Sequence, residues 1–438
     1  MITNKTKITN QLDFKSYLNG LASCGTLTLS NLYLTHFNLD LAEVVEQENY
    51  EKIIFDNCFI ENLSFFKLEW QCEIQFNASV IKQFTAHQTQ FLKPVSLQGF
   101  YASKVHLMQC EFVLFDLYQI PQLQVHTCEG DIQLSTKMQS SLRHRIQLTD
   151  YFSGNLQLNA TPQGTEFEQL TLAGKIGASI DICHGIFEQL TLSQTQTDGT
   201  VHFAQCQVKN LAFIKHHNLV GQNMVFRQLT PLPGSRILIE NASLNAIQFI
   251  NCCTSEFDQL QYESGDLSNI LLANSRLPKK VVFPHKNSSF ERQYYQQYRR
   301  AVTKMGDKYE TKHARRQELN ALLTQRPRTI TWPTTCSLWG SKLSANHSTN
   351  WLQPVMIAIF FSVIIATTTL YLNPHTDLSF NHVLHDTFHW LNPARKASLL
   401  ISYQGMEQQA WFEAFNACSR LLLGYLYYQT IRAFRLFD

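Results

Sequence analysis

The segment Phe167-Glu-Gln-Leu-Thr-Leu172 returns as Phe187-Glu-Gln-Leu-Thr-Leu192 twenty residues later. An internal repeat of that length constrains the fold more than any local propensity does. Looser versions stand at Val208-Lys-Asn-Leu-Ala-Phe213 and Phe257-Asp-Gln-Leu-Gln-Tyr262. All share the pattern apolar-x-x-apolar-x-apolar, and its last two members form an alternating pair.

Such pairs recur at roughly ten-residue intervals, the alternation of a short strand with one buried face. They begin at Leu63/Phe65 and Ile74/Phe76, pass through Val105/Leu107, Ile146/Leu148, Ile180/Ile182 and Met224/Phe226, and end at Ile270/Leu272 and Val281/Phe283. Asn, Gln, Ser, Thr and Gly lie between them, which is turn chemistry. Very short strands without long helices bury a core by stacking coil on coil. The expected fold is therefore mainly β: a right-handed β-solenoid with two pairs in each coil of roughly twenty residues. A sandwich of short strands competes with it, and the literal repeat argues against the sandwich. Irregular stretches near Lys137–Asp150 and Thr230–Ser235 are expected to leave the coil as loops.

Eleven cysteines are scattered without a Cys-x-x-Cys, and the one adjacent pair is Cys252–Cys253. That suits small inward residues of a reduced protein better than zinc or disulfides. The first residues carry no apolar run of signal-peptide type, so the solenoid is expected in the cytosol.

Charge divides the chain. Residues 1–285 hold 19 Lys and Arg against 25 Asp and Glu; residues 286–438 hold 17 against 9. From Ser288 the periodicity becomes helical, with Phe290, Tyr294, Tyr298, Val302, Met305 and Tyr309 on one stripe and Arg and Lys on other faces. Pro327 and Pro333 are expected to stop that helix.

Between Lys342 and Asp377 there is no Lys, Arg, Asp or Glu, and Trp351 to Leu372 is largely apolar. As a helix this segment reaches about 33 Å, enough for a hydrocarbon core of about 30 Å. Trp351 and Tyr371 stand at its ends as interface anchors, and Arg432 and Arg435 take the same role near the C-terminus. The second apolar stretch, from Ala410, contains Glu413 and Arg420. It either spans with Arg420 inside the bilayer or lies at the interface. Helical spacing puts Glu413, Asn416, Arg420, Gly424 and Tyr427 on one polar stripe, expected to face a pore or another copy.

The organisation expected is an N-terminal cap with first coils over 1–50, the solenoid over 51–285, a basic helix over 286–326 and a linker over 327–350. A transmembrane helix over 351–372, a non-cytosolic loop over 373–409 and a second transmembrane or interfacial helix over 410–438 complete it. Flanking positive charge places both termini in the cytoplasm.

Three runs carry a family resemblance: Phe290-Glu-Arg-Gln-Tyr-Tyr-Gln-Gln-Tyr-Arg-Arg-Ala-Val-Thr-Lys-Met-Gly-Asp307, Asn350-Trp-Leu-Gln-Pro354 and Tyr428-Gln-Thr-Ile-Arg-Ala-Phe-Arg-Leu-Phe437. With the small-x-apolar units of the ladder, such as Cys110-Glu-Phe112, they resemble membrane-anchored bacterial pentapeptide-repeat proteins. The resemblance implies a cytosolic β-helix on a two-helix, channel-like membrane module. The Thr-x-Gly-Tyr-Gly filter of potassium channels is missing.

No nucleotide-binding, hydrolase or zinc-protease motif occurs, and no catalytic residue, cofactor or metal is expected. His382, His385, Asp386 and His389 share a helical face that a transition metal could use, and a wet interfacial helix explains them equally well. Duplex mimicry would need denser surface carboxylate, so nucleic acid is not an expected partner. The expected partners are the lipid bilayer, further copies of the chain and a cytosolic protein or signal. The expected function is that of a non-enzymatic inner-membrane protein coupling a sensing solenoid to an oligomerising hairpin. The alternative is a pore-forming or channel-like effector, toxic or defensive, with the Arg420 stripe lining the pore.

Overall fold

A computed structural model of the chain describes residues 6–19, 25–40, 50–67, 69–97, 101–118, 120–135, 144–159, 165–177, 179–197, 199–217, 223–284, 289–325, 331–347, 349–373, 376–403 and 410–434. The chain forms two compact units, Met1–Lys286 and Asn287–Asp438.

In the first unit each strand pairs in parallel with the strand one coil away, giving a β-solenoid of about ten turns. Two apolar ladders run its length. One carries Ile53, Ile74, Val95 and Phe115 in register, and later Ile180, Val201, Met224 and Ile247. The other carries Leu63, Phe84, Val105, Leu123, Ile146, Leu170, Leu190 and Leu211. Successive alternating pairs of the sequence fall on these ladders in turn, which is why ten residues separate pairs and about twenty separate coils. The literal repeat stacks on itself: Phe167 on Phe187, Leu170 on Leu190, Leu172 on Leu192. Phe84/Ala86 is a rung that the pattern hides, because its second inward member is an alanine.

Two residues beyond most pairs the chain turns the corner in the left-handed region. Lys67, Gln88, Gln109, Thr127, Asp150, Gln194, Lys215 and Asn241 do so beside one ladder, and Gln205, Gln228, Asn251 and Asn274 beside the other. That conformation costs about 1–2 kcal/mol for an L-residue. Hydrogen bonds between coils offset it: the Gln88 N–H donates to the Met108 carbonyl at 2.9 Å and the Gln228 N–H to that of Ile250 at 3.0 Å. Amide side chains repeat the contact outside, Gln88 to Gln109 at 3.0 Å and Asn274 to Asn251 at 3.0 Å. Only glycine fits at position 154, where φ is +129° and a Cβ would lie 2.1 Å from the Gly130 carbonyl oxygen.

The coil is less regular than an unbroken run of five-residue units. Rungs lie 21 residues apart from Ile53 to Ile74 but 17 apart from Phe115 to Ile132. Thr230–Ser235, expected to leave the coil as a loop, instead forms a bulge within the strand Thr230–Glu240. Val208 pairs with Pro231 and Asn210 with Arg236, so one strand advances two residues while the other advances five. Of the other expected loop, residues 136–143 lie outside the described residues, and strand pairing holds from His144. A helix, α1 (Gln11–Asn19), stands beside the first rungs and buries Phe14 and Leu18, four residues apart. Asn10 caps it, its Oδ1 accepting the Asp13 N–H at 2.8 Å.

Small inward residues sit where the coil bends, and their side chains donate to the preceding coil. The Cys58 thiol points at the Leu29 carbonyl at 3.0 Å, Ser79 Oγ at that of Phe55 at 3.0 Å and Thr195 Oγ1 at that of Leu172 at 2.7 Å. Cys58, Cys72, Cys110, Cys128, Cys206 and Cys252 are buried and in no disulfide, and burial pushes the Cys206 thiol up to about 12. Cys336 is exposed. Thiol alkylation of the folded protein is therefore expected to label Cys336 within minutes and to reach Cys206 only in denaturant. Peptide mapping before and after unfolding measures this.

The second unit is helical, and it departs from expectation at two places. The single basic helix over 286–326 is two helices, α2 (Ser289–Lys304) and α3 (Lys308–Gln325). Gly306 at φ +77° ends the first, and Asp307 caps the second by accepting the Glu310 N–H at 2.9 Å. The two fold back on each other, with Arg299 Nε 2.8 Å from Glu318. Tyr294, Tyr298, Ala301 and Val302 are buried, whereas Tyr309, across the break, is exposed. The expected linker over 327–350 contains α4 (Trp332–Ala345). Pro333 does not stop a helix there; it lies in the first turn, where its missing N–H has no partner to lose.

The remaining helices are α5 (Leu352–Leu372), α6 (Phe380–Leu391) and α7 (Ala410–Phe434). Among the described residues α5 is the one helix long and apolar enough to cross a membrane. A transmembrane pair is thus not evident from composition, because Glu413, Arg420 and Arg432 interrupt α7.

Candidate functional site

Helices α5, α6 and α7 pack around a core that is apolar at two levels and polar between them. Ile365, Ala366, Trp390, Leu400 and Phe412 form one apolar cluster, and Ala358, Leu423 and Leu426 another. On α7 the buried positions Phe412, Asn416, Ser419, Leu423 and Leu426 recur at three or four residues, one face of a helix. Asn416 and Ser419 interrupt it with polar groups.

Those groups receive Arg395, a residue only 3% exposed on the segment after α6. Its Nη2 donates to Asn416 Oδ1 at 2.9 Å and to Ser419 Oγ at 2.8 Å; its Nη1 donates to the Trp390 and Asn392 carbonyls at 3.3 and 3.2 Å. The guanidinium carbon lies 3.9 Å from the centre of the Trp390 ring. All four acceptors are neutral. Arg420 reaches the same place from α7, its Nη2 donating to the Arg395 carbonyl at 2.8 Å.

Asp386 is the second buried ionisable side chain. Its Oδ1 accepts the Ile401 N–H at 2.8 Å and its Oδ2 the Ser402 N–H at 2.9 Å, and His385 Nδ1 lies 3.2 Å from Oδ1. Asn373, just after α5, donates to the Ser402 carbonyl at 3.2 Å. A short 3-10 turn, Ile401–Tyr403, is thereby tied to both α5 and α6. Backbone polar groups away from water need such partners.

The predicted stripe is divided. Asn416 and Arg420 meet at Arg395, whereas Glu413, Gly424 and Tyr427 are exposed. Trp351 is 38% and Tyr371 76% exposed at the ends of α5, and Arg432 is exposed in the last turn of α7. Arg435 lies outside the described residues. The histidine face of α6 does not converge. His382 Nδ1 contacts the Asp377 carbonyl at 2.9 Å, Asp386 turns inward, and the His385 and His389 rings lie tilted by 52° with centroids 4.4 Å apart. No metal-holding group of three such residues occurs among the described residues. Sequence reasoning overlooked Arg395 and Trp390 as site residues. The available signal was an arginine between two apolar helices, a placement costly enough to need a reason.

No protein-family model, curated protein or solved structure matches the chain.

Proposed function

We propose that the chain is a non-enzymatic protein of the bacterial inner membrane, related to membrane-anchored pentapeptide-repeat proteins, whose cytosolic solenoid receives a protein partner or signal and whose α5–α7 module sits in the bilayer and self-associates. The observation that carries this reading is the two-sidedness of α5. Ala358, Ser362, Ile365, Ala366 and Thr369 are buried, while Met356, Ile359, Phe360, Val363 and Ile364 are 40–63% exposed. Large apolar side chains facing outward along a charge-free helix suit lipid. At 21 residues the helix spans about 31 Å.

The same geometry favours a second crossing by α7. The residues between Glu413 and Arg432 would cover about 27 Å, and the one charge among them, Arg420, turns toward Arg395 while Leu421, Tyr425, Tyr428 and Ile431 face outward. Helix α6, with 12 residues, is too short to span and would be re-entrant or interfacial.

Full-length protein is expected to remain with membranes through high salt and carbonate washing. Ile364→Arg, at an exposed mid-helix position, adds about 2.5–3.5 kcal/mol to insertion and should move a substantial fraction to the soluble or degraded pool. Wild type recovered in solution without detergent would end this reading. The pore alternative rests on Glu413, Gly424 and Tyr427, which a second copy would have to cover. Planar-bilayer recordings test it: a pore predicts current that Arg420→Leu alters, and a silent wild type removes it.

A further inference from the structure

Helix α4 ends in an unusual way. Asn346 and His347 both adopt the left-handed conformation, at φ +47° and +59°, and their N–H groups donate to the Lys342 and Ser341 carbonyls, each at 3.0 Å. A histidine in that region is uncommon. This one is only 9% exposed, and neither its Nδ1 nor its Nε2 has a hydrogen-bond partner. On α3, the Nε of Arg316 is likewise buried and unpartnered. The charges acting on His347 are Lys342 and Arg316, and among the described residues neither makes an ion pair. Lys342 lies over the Trp339 ring at 5.3 Å. Burial first, then these two cations, hold the His347 pKa down to about 4. One turn before Arg316, Lys312 feels Lys308 and Arg432 in the same way, so positive charge continues to the end of α7.

Buried donors without partners, beside cations without counterions, describe half of a site. The missing half is an anion with several acceptor oxygens. A phosphate group meets that need, because its oxygens can accept from a guanidinium, an imidazole and an ammonium together. The place in the chain narrows the source. His347 precedes the start of α5 by five residues, and Trp351, immediately before that helix, is an interfacial residue type.

We propose that Arg316, Lys342 and His347 form a phosphate-binding site, filled by the head group of an anionic membrane lipid. The choice of lipid rests on the membrane reading above; the phosphate chemistry does not. The site would fasten the α3–α4 region to the leaflet at the mouth of α5, where anionic lipid and basic residues attract each other.

The test uses full-length protein in mild detergent, titrated with phosphatidylglycerol or phosphatidylcholine and read by native mass spectrometry, with inorganic phosphate titrated separately. Wild type should retain phosphatidylglycerol in preference to phosphatidylcholine. Arg316→Gln and His347→Gln should each lower that retention at least about tenfold, the scale of one lost charge-assisted bond. Arg315→Gln, at the exposed neighbouring position, should change it less than about twofold. Thermal unfolding of each variant separates loss of binding from loss of fold, and Arg316→Lys should restore part of it. Equal retention by wild type and the two site variants overturns the site, as does an equal loss in Arg315→Gln, which would mean diffuse attraction. Saturation by inorganic phosphate without phosphatidylglycerol retention overturns the lipid source and keeps the site. Failure of membrane association would be seen in the washing experiment instead, and the inorganic phosphate titration would still report on the three residues.

Discussion

Phe226→Ala is expected to lower the stability of the solenoid by about 3–5 kcal/mol. Phe226 is fully buried, with its ring stacked on Phe203 at 4.9 Å and on Phe249 at 4.9 Å, one coil to each side. Truncation removes apolar area from both interfaces at once and leaves a cavity that parallel, hydrogen-bonded coils cannot close. Because stability in a stacked array is carried between neighbours, the loss should also show as a broadened transition. Chemical denaturation followed by circular dichroism measures it. A shift below about 1 kcal/mol would mean that the stack is not the core described above.

Asp386→Leu should have an effect of comparable size on the helical unit, about 2–6 kcal/mol. The aspartate is fully buried, and each of its oxygens takes one backbone N–H, from Ile401 and Ser402. Leucine fills similar space and leaves two buried donors unpaired, at about 1–3 kcal/mol each. Asp386→Asn keeps one acceptor and turns a donor toward the other N–H, so it should fall between leucine and wild type. Thermal stability of the purified protein, with amide exchange at Ile401 and Ser402, checks both the size and the order. Unchanged exchange in Asp386→Leu would show that the carboxylate does not hold that segment.

The contrast between these two positions explains what was legible. Phe226 could be chosen from the sequence, since Met224/Phe226 belongs to the alternating series and its partners come one coil away on either side. The Asp386 contacts could not. Its backbone partners stand 15 and 16 residues further on, and the side-chain partners of Arg395 stand 21 and 24 further on, at no recurring offset. Helical spacing puts Asn416 and Arg420 on one stripe of α7, but it cannot say that Arg395 comes to meet them. The break at Gly306 and the helix begun at Trp332 were also missed. In both, a single residue that usually ends a helix had two permitted uses, and packing chose between them.

What the amino-acid order determined on its own is the stacked-coil architecture and the charge-free helix before Asp377. Both follow from periodic burial, in which each residue's surroundings are set by neighbours at a constant separation along the chain. The tertiary structure alone decided where the buried polar side chains go: Arg395 between α6 and α7, Asp386 under Ile401–Tyr403, His347 at the end of α4. Those placements balance desolvation against a few directional bonds from distant segments, and no local pattern encodes which distant segment supplies them.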